Sequence, residues 1–464
     1  MSLSNYRYKG VPKPFSHQIA TTEFIVNTPR CFVFNDIGTG KTWSAVWAID
    51  YLARERKEVK HILIVAPLST LEIVWKRTFF HLDSTVSVEV LKGTAARRKA
   101  LLDREGGLSP YKVSVINPDA LHIIQDDITD VDMVLVDESA MFRNAKSRRV
   151  KALNTICKDV KRVVMMTGSP CPEAPTDIWA TARIVCPERV SKWLGQIRDL
   201  VMRKINQFKW VALPDAQETI ALLLNGYHIR FKRDECIDLP PSHHAEIEVE
   251  PTKQQKELIR HIRKEAVALV EEGAINAANE AVVISKILQI ASGAVRFTRE
   301  DGLADVIETD CSPKFDALEQ ILESSTQPVI LFAPYTAVIG RIQKWFGAKG
   351  IPAAVVDGSR SAVHRLEAFD ALQSGAIRVL IAHPQAMAHG ITLTNANVVV
   401  WWTPIYSHEI YEQANGRVVR PGQTRDTYFV HLTCSALEAR VLRKLDSKAS
   451  LQGVLLDYLQ REEN

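Results

Sequence analysis

Asn35-Asp36-Ile37-Gly38-Thr39-Gly40-Lys41-Thr42 is the stretch that decides the fold. An apolar run at 31–34 precedes it, and a helix-like run at 43–49 follows. Strand, glycine-rich turn, helix is the frame in which backbone N–H groups close around phosphate oxygens. Gly38 and Gly40 keep Cβ atoms out of the way, and Asp36 and Thr39 complete the turn. In such a frame Lys41 reaches the β- and γ-phosphates and the Thr42 hydroxyl can ligate Mg²⁺. A bare Gly-Lys-Thr is most often an ordinary loop; the flanking strand and helix make this one a nucleoside triphosphate site. Asn35 holds the first position of the pattern, which is ordinarily glycine.

The chain has 464 residues, enough for two to four domains of usual size. Hydrophobic residues make up 46% and charged residues 24%, which excludes an extended disordered chain. A net charge of +4 neither requires nor opposes a nucleic-acid partner, so a local basic face has to carry that argument. The seven cysteines form no CxxC pair and no zinc spacing, as expected of reduced thiols in a cytoplasmic protein. The N-terminal residues have no apolar signal-peptide core, and no apolar run is long enough to span a bilayer. The expectation is a cytoplasmic protein without a membrane partner.

Short Val/Ile-rich runs recur at 62–66, 113–116, 133–136 and 162–166, each ending in polar or turn residues. Continuous apolar strands alternating with helical patterns predict a parallel sheet covered on both faces. The pattern lapses into a helical, irregular stretch at about 187–228, and Leu239-Pro240-Pro241-Ser242 breaks the chain. Helical spacing dominates about 251–311, and a second alternating set runs through 328–332, 353–356, 378–382, 398–402 and 427–432. The predicted fold is therefore α/β, with two parallel-sheet lobes at 1–233 and 234–464, helical insertions, and a helical tail.

Met133-Val134-Leu135-Val136-Asp137-Glu138 reads as a buried strand delivering two carboxylates to its end. Ligands of open α/β sheets sit at the carboxyl ends of strands, so this pair and the phosphate loop can converge. Asp137 is then a metal ligand and Glu138 the group that polarises an attacking water. Two solvated carboxylates are the plain alternative for this motif alone. Thr167-Gly168-Ser169-Pro170 reads as a turn able to carry a coupling hydroxyl. In Gln413-Ala414-Asn415-Gly416-Arg417-Val418-Val419-Arg420-Pro421-Gly422-Gln423, the two arginines are three apart, as neighbours on one helical face would be. Two guanidinium groups in a cleft can clamp a γ-phosphate as charge develops.

Together these motifs resemble the superfamily 2 helicase-like ATPases, specifically the Swi/Snf-type duplex DNA translocases. Pro14-Phe15-Ser16-His17-Gln18 resembles the adenine-reading segment. Ile64-Val65-Ala66-Pro67-Leu68-Ser69-Thr70-Leu71, with Trp75, resembles the first DNA-contacting motif, and Val115-Ile116-Asn117-Pro118 a second. Asp137-Glu138-Ser139-Ala140 through Arg143 resembles the DEAH-box and its basic tail. Ile229–Asp234 and the Leu-Pro-Pro junction resemble the family's basic linker. Ser312-Pro313-Lys314-Phe315, Asp357-Gly358-Ser359, Ala388-His389-Gly390-Ile391-Thr392-Leu393-Thr394 and the arginine motif resemble second-lobe segments in the family's order. Departures are Ala140 for His, Met387 and Ala388 for paired glycines, Thr392 for Asn, and Gly416 for Asp.

The resemblance implies two RecA-like lobes around ATP and Mg²⁺. Gln18, Asp36, Gly38, Thr39, Gly40, Lys41, Thr42 and Gly390 would hold the nucleotide, and Thr42 and Asp137 the metal. Lys41, Asp137, Glu138, Gln413, Arg417 and Arg420 would run hydrolysis. Ser69, Asn117, Arg143, Ser359 and Thr392 would touch phosphates of double-stranded DNA without reading sequence. The expected protein is a monomeric motor of a compact, bacterial- or phage-like kind that remodels or displaces what is bound to duplex DNA. A strand-separating or branch-migrating helicase, an RNA helicase and an ATP-binding scaffold are the alternatives.

Overall fold

The computed structural model describes residues 3–446 except 4, 11–12, 173, 206–209, 237, 272–276, 299–303 and 388–390. Gly390 and residues 447–464 of the expected helical tail lie outside the described residues; the helix Ala436–Asp446 is the tail's described part. The chain divides into two compact units, Met1–Asp238 and Leu239–Asn464.

Unit 1 contains β1 (Arg30–Val33), β2 (His61–Val65), β3 (Ser87–Val90), β4 (Lys112–Ile116), β5 (Met133–Asp137) and β6 (Arg162–Met166). Further on come a short antiparallel pair, β7 (Met202–Lys204) with β8 (Trp210–Ala212), and then β9 (His228–Ile229). The main sheet has the order β3-β4-β2-β5-β6-β1-β9, with every pairing parallel. Side chains alternate between two cores. Phe32, Leu63, Val65, Val134, Val136, Val163 and Met165 enter one, where they meet the helix Arg148–Cys157. Cys31, Val33, Ile62, Ile64, Met133, Leu135, Val164 and Met166 enter the other, against the helix Lys41–Arg54. Burial on both faces is why these strands read as unbroken apolar runs.

Unit 2 repeats the design with β10 (Ser242–Glu248), the antiparallel pair β11 (Ala294–Thr298) and β12 (Ala304–Glu308), then β13 (Val329–Phe332), β14 (Ala353–Val356), β15 (Val379–Ala382), β16 (Val398–Trp401) and β17 (Thr427–Thr433). Its six-stranded sheet runs β10-β17-β16-β13-β15-β14, again parallel throughout. Ile330, Phe332, Leu380, Ala382, Val399 and Trp401 face one core; Val329, Leu331, Val379, Ile381, Val400 and Trp402 face the other. The two α/β halves expected from the sequence are thus present. Their insertions are not wholly helical: β7–β8 and β11–β12 lie within the stretches read as helical. Both Trp401 and Trp402 are fully buried, which leaves neither able to stack on a base.

Lys314 and Glu438 form a fully buried ion pair at 2.8 Å in unit 2. The ammonium also donates to the carbonyls of Trp402 (2.8 Å) and Leu432 (3.4 Å). The carboxylate accepts from the Thr403 hydroxyl and, at 2.7 Å, from the Cys434 N–H. Burial pulls the Lys314 ammonium down, but Glu438 together with the nearby Cys434 and Cys311 holds the group above the usual lysine range. A desolvated pair of this kind is most damaging when halved, because the survivor is left as an uncompensated charge. Lys314→Met is therefore expected to cost unit 2 about 3–5 kcal/mol. Adding Glu438→Leu should recover a large part of that loss in urea titrations. Equal destabilisation of the single and double variants would show that the two charges are not energetically coupled.

Candidate nucleotide site and arginine turn

All strands of the unit 1 sheet run the same way, so their carboxyl ends share one edge. The loop 34–40 leaves β1 there, Asp137 and Glu138 leave β5, and Thr167–Pro170 leaves β6, the strand between them. Gly38 and Gly40 take φ of +89° and +80°, which residues with a Cβ adopt only under strain. Gly40 then caps the helix Lys41–Arg54, whose first N–H groups face the loop. Lys41 Nζ donates to the carbonyls of Asn35 (2.6 Å) and Asp36 (3.0 Å), folding its charge onto the loop. The Thr39 hydroxyl donates to the Asp36 carbonyl at 2.8 Å, and Thr42 is half-buried at the helix start.

Gln18 lies directly over this turn. Its Nε2 donates to the Thr39 carbonyl at 3.3 Å, and its Oε1 accepts from the Phe15 N–H at 3.0 Å. The His17 Nε2 shares the same carbonyl at 2.8 Å. A cavity of about 430 Å³ opens beside them, lined by His17, Phe231, Glu235, Cys236 and Asp238 among others. The buried His17 Nδ1 has no hydrogen-bond partner there. The sequence reading placed His17 in the adenine-reading segment but named only Gln18 as a nucleotide contact.

Asp137 and Glu138 are adjacent and differently held. Trp75, fully buried, donates its Nε1 to Asp137 Oδ2 at 3.0 Å. Loss of hydration and the Glu138 carboxylate push the Asp137 carboxyl up to about 6. Two adjacent carboxylates at the end of a strand form a donor set suited to a divalent cation. Glu138 takes φ +60°, an uncommon conformation for a side-chain-bearing residue, worth about 1–3 kcal/mol of local strain. Its Oε1 accepts from the Thr167 hydroxyl at 2.6 Å, and Thr167 Oγ1 in turn accepts from the Ser169 N–H at 3.1 Å. Thr167 thereby ties Glu138 to the turn after β6. Trp75, which the sequence placed with a DNA-contacting motif, is a buried support for Asp137.

In unit 2 the arginines do not share a helix. The helix His408–Asn415 ends at Gly416, and 416–420 is a run of turns closed by Arg417 N–H to Ala414 O and Val418 N–H to Asn415 O. Gly416 and the β-branched Val418 and Val419 favour this exit over another helical turn. The two guanidinium groups therefore have separate supports. Arg417 is buried, its Nε donating to the Gln413 carbonyl at 3.0 Å. Arg420 donates to the Ile391 carbonyl (2.6 Å) and the Thr392 hydroxyl (3.1 Å), and burial pulls its guanidinium down to about 10. Gln413 is buried and donates its amide to Glu409 at 3.2 Å.

The expected DNA-contacting residues are spread over both units. Ser69 follows β2 and is half-buried, and Asn117 follows β4, with Arg98 at 3.5 Å from its Oδ1. Arg143 is exposed just past the Asp-Glu pair, near the exposed Lys146 and Arg148. Ser359 is exposed in the turn after β14, where its N–H and hydroxyl donate to Asp357, and Thr392 is exposed beneath Arg420. Among the described residues no cluster of three or more His, Cys, Asp or Glu side chains could hold a metal alone, and no helix is long and apolar enough to cross a membrane.

A Cβ at residue 40 would lie 2.1 Å from Gln18 Nε2 and would demand the strained positive φ. Gly40→Ala is accordingly expected to evict the Gln18 amide and weaken nucleotide binding by about tenfold or more, read by titration with a fluorescent ATP analogue. Unchanged affinity would mean that neither the turn nor Gln18 contributes.

The description SNF2-related domain matches residues 17–300, and that of the helicase conserved C-terminal domain matches residues 313–422. Protein p41 of Acyrthosiphon pisum secondary endosymbiont phage 1 is 26% identical over 97% of this chain and 99% of its own length. A SWI/SNF-related matrix-associated actin-dependent regulator of chromatin subfamily A-like protein 1 from Xenopus tropicalis is 23% identical over 85% of this chain. The match spans 40% of that frog protein. The solved Sulfolobus solfataricus SWI2/SNF2 ATPase core in complex with dsDNA aligns with 99% of this chain and 97% of its own, at 16% identity and a TM-score of 0.46. With the first of these descriptions covering more than half of the 464 residues, the chain belongs to the SNF2-related family and is a helicase-like ATPase core.

Proposed function

We propose that this protein is an ATP-driven translocase on duplex DNA, using hydrolysis to move along the duplex and displace or remodel what is bound there. The observation that carries the reading is the convergence on one sheet edge of the loop 34–40, the Asp137–Glu138 pair and Thr167. Loop amides and Lys41 would cradle the β- and γ-phosphates, and the cavity beside His17 and Phe231 would take the base. Thr42 and Asp137 would hold Mg²⁺, which neutralises charge on the phosphate oxygens when bound. Glu138 would orient the attacking water, and its hydrogen bond to Thr167 would pass the state of the site to the turn after β6. Arg417 and Arg420 would meet the charge that develops on the transferred phosphoryl group.

Ser69, Asn117, Arg143, Ser359 and Thr392 would grip the phosphate backbone by hydroxyl, amide and guanidinium groups. Such contacts are indifferent to sequence and weaken with salt. The Leu239-Pro240-Pro241 junction and the Arg420-Pro421-Gly422-Gln423 ending, which resemble those of duplex translocases, favour duplex over single-stranded polymers.

Three outcomes follow from these roles. Lys41→Ala and Glu138→Gln should each abolish ATP turnover while leaving the far-ultraviolet circular dichroism spectrum intact; a Glu138→Gln protein with wild-type turnover removes Glu138 from the chemistry. Arg420→Ala should lower kcat about 10²-fold or more with a much smaller change in KM, as expected of a group acting on the transition state. A change confined to KM would make it a binding residue. Duplex DNA should stimulate hydrolysis strongly, and less so as salt rises, whereas stimulation chiefly by single strands or RNA would point to an unwinding enzyme.

A further inference from the structure

Asn35 stands where the phosphate-loop pattern has glycine, and phosphate binding makes no use of its side chain. The carboxamide is instead committed at both ends and is almost fully buried. Its Nδ2 donates to Thr21 Oγ1 at 2.8 Å, in the helix Ser16–Asn27 that also carries His17 and Gln18. Its Oδ1 accepts from the Phe231 N–H at 3.0 Å. Phe231 belongs to the segment 228–238 by which the chain leaves unit 1.

That exit segment is fastened to the loop at successive points. Phe34 N–H donates to the Ile229 carbonyl at 2.9 Å, and Asp36 N–H to the Phe231 carbonyl at 3.0 Å. Asp36 Oδ2 accepts from the Arg233 N–H at 3.2 Å. Further along, Phe231, Glu235, Cys236 and Asp238 line the cavity beside His17. Lys41 completes the connection, because its ammonium rests on the carbonyls of Asn35 and Asp36, the two residues whose side chains hold the exit segment. An ammonium drawn to a phosphate releases both carbonyls together. Among the described residues, no other loop side chain is seen to link the helix, the loop and the exit segment through one rigid group.

We propose that Asn35 is a positioning residue that pins the exit segment to the phosphate loop, so that filling the loop resets the start of the chain leading into unit 2. This rests on the reading of the loop as an ATP site. Glycine could not make the link, and alanine could not either. Aspartate keeps the acceptor for Phe231 N–H and loses only the donor to Thr21.

The test is hydrogen exchange in peptides spanning 228–236 of the full chain, with and without a non-hydrolysable ATP analogue and Mg²⁺. Binding of a fluorescent ATP analogue is followed in parallel. In the wild type the bound analogue should slow exchange of this segment by about threefold or more. Asn35→Ala should still bind the analogue, lose that difference, and lower DNA-stimulated kcat by about tenfold or more while KM for ATP moves little. Asn35→Asp should retain the exchange difference. A wild-type protein that binds the analogue with no change at 228–236 overturns the pin while leaving the ATP reading standing. Retention of the full difference in Asn35→Ala overturns it as well. A wild-type protein that binds no analogue overturns the ATP reading and the pin with it.

Discussion

Four parallel strands in the order β5-β6-β1-β9 are what the chemistry of unit 1 depends on. Parallel pairing sends every strand's carboxyl end to the same edge. Only the adjacency of β6 to both β5 and β1 lets one hydroxyl, Thr167, stand between the Asp-Glu pair and the phosphate loop. The pairing of β1 with β9 does the same for the exit segment, since Phe32 opposite His228 and Val33 opposite Ile229 set the register that delivers Phe231 to Asn35. Packing of β5, β6 and β1 against two cores fixes their own register, because a one-residue slip would exchange each side chain between the two faces.

Much of this was legible because both lobes' central strands are buried on two faces. Cys31-Phe32-Val33, Met133–Asp137 and Val379–Ala382 have no polar face to dilute them, so each stands out as a short apolar run closed by a functional residue or a turn. Edge strands behaved differently. Ser87–Val90 and the largely exposed Ser242–Glu248 each have one neighbour in the sheet and carry polar side chains, so neither announces itself. The pairs β7–β8 and β11–β12 sit inside helical surroundings, where a few residues of strand are too short for a period to register.

In the site, residue types were readable and their partners were not. Lys41, Asp137 and Glu138 are in the pattern; that Trp75 braces Asp137 from a segment far away in sequence is a tertiary fact. The arginine spacing suggested a helix face, but the helix stops at Gly416, and spacing loses its meaning once the backbone leaves the helical path. Asn35 looked like a lapse in the glycine pattern. Its value lies in the pairing of a donor and an acceptor on one planar group, which needs Thr21 and Phe231 in place before it can be seen.

The order of strands in unit 2 bears on how the protein is made. Its first strand, β10, pairs along its whole length with its last, β17, and the Lys314 ammonium finds its carboxylate only beyond that last strand, at Glu438. A ribosome extends the chain at about 5–20 residues per second, so β10 waits many seconds with an open edge before β17 arrives. Until β17 and the helix after it arrive, Lys314 has no carboxylate partner and β10 has no strand to pair with. Unit 1, whose own last strand is reached near residue 229, is complete well before then. Synthesis is thus staged from front to back, with the phosphate loop already formed while the arginine turn is still being translated.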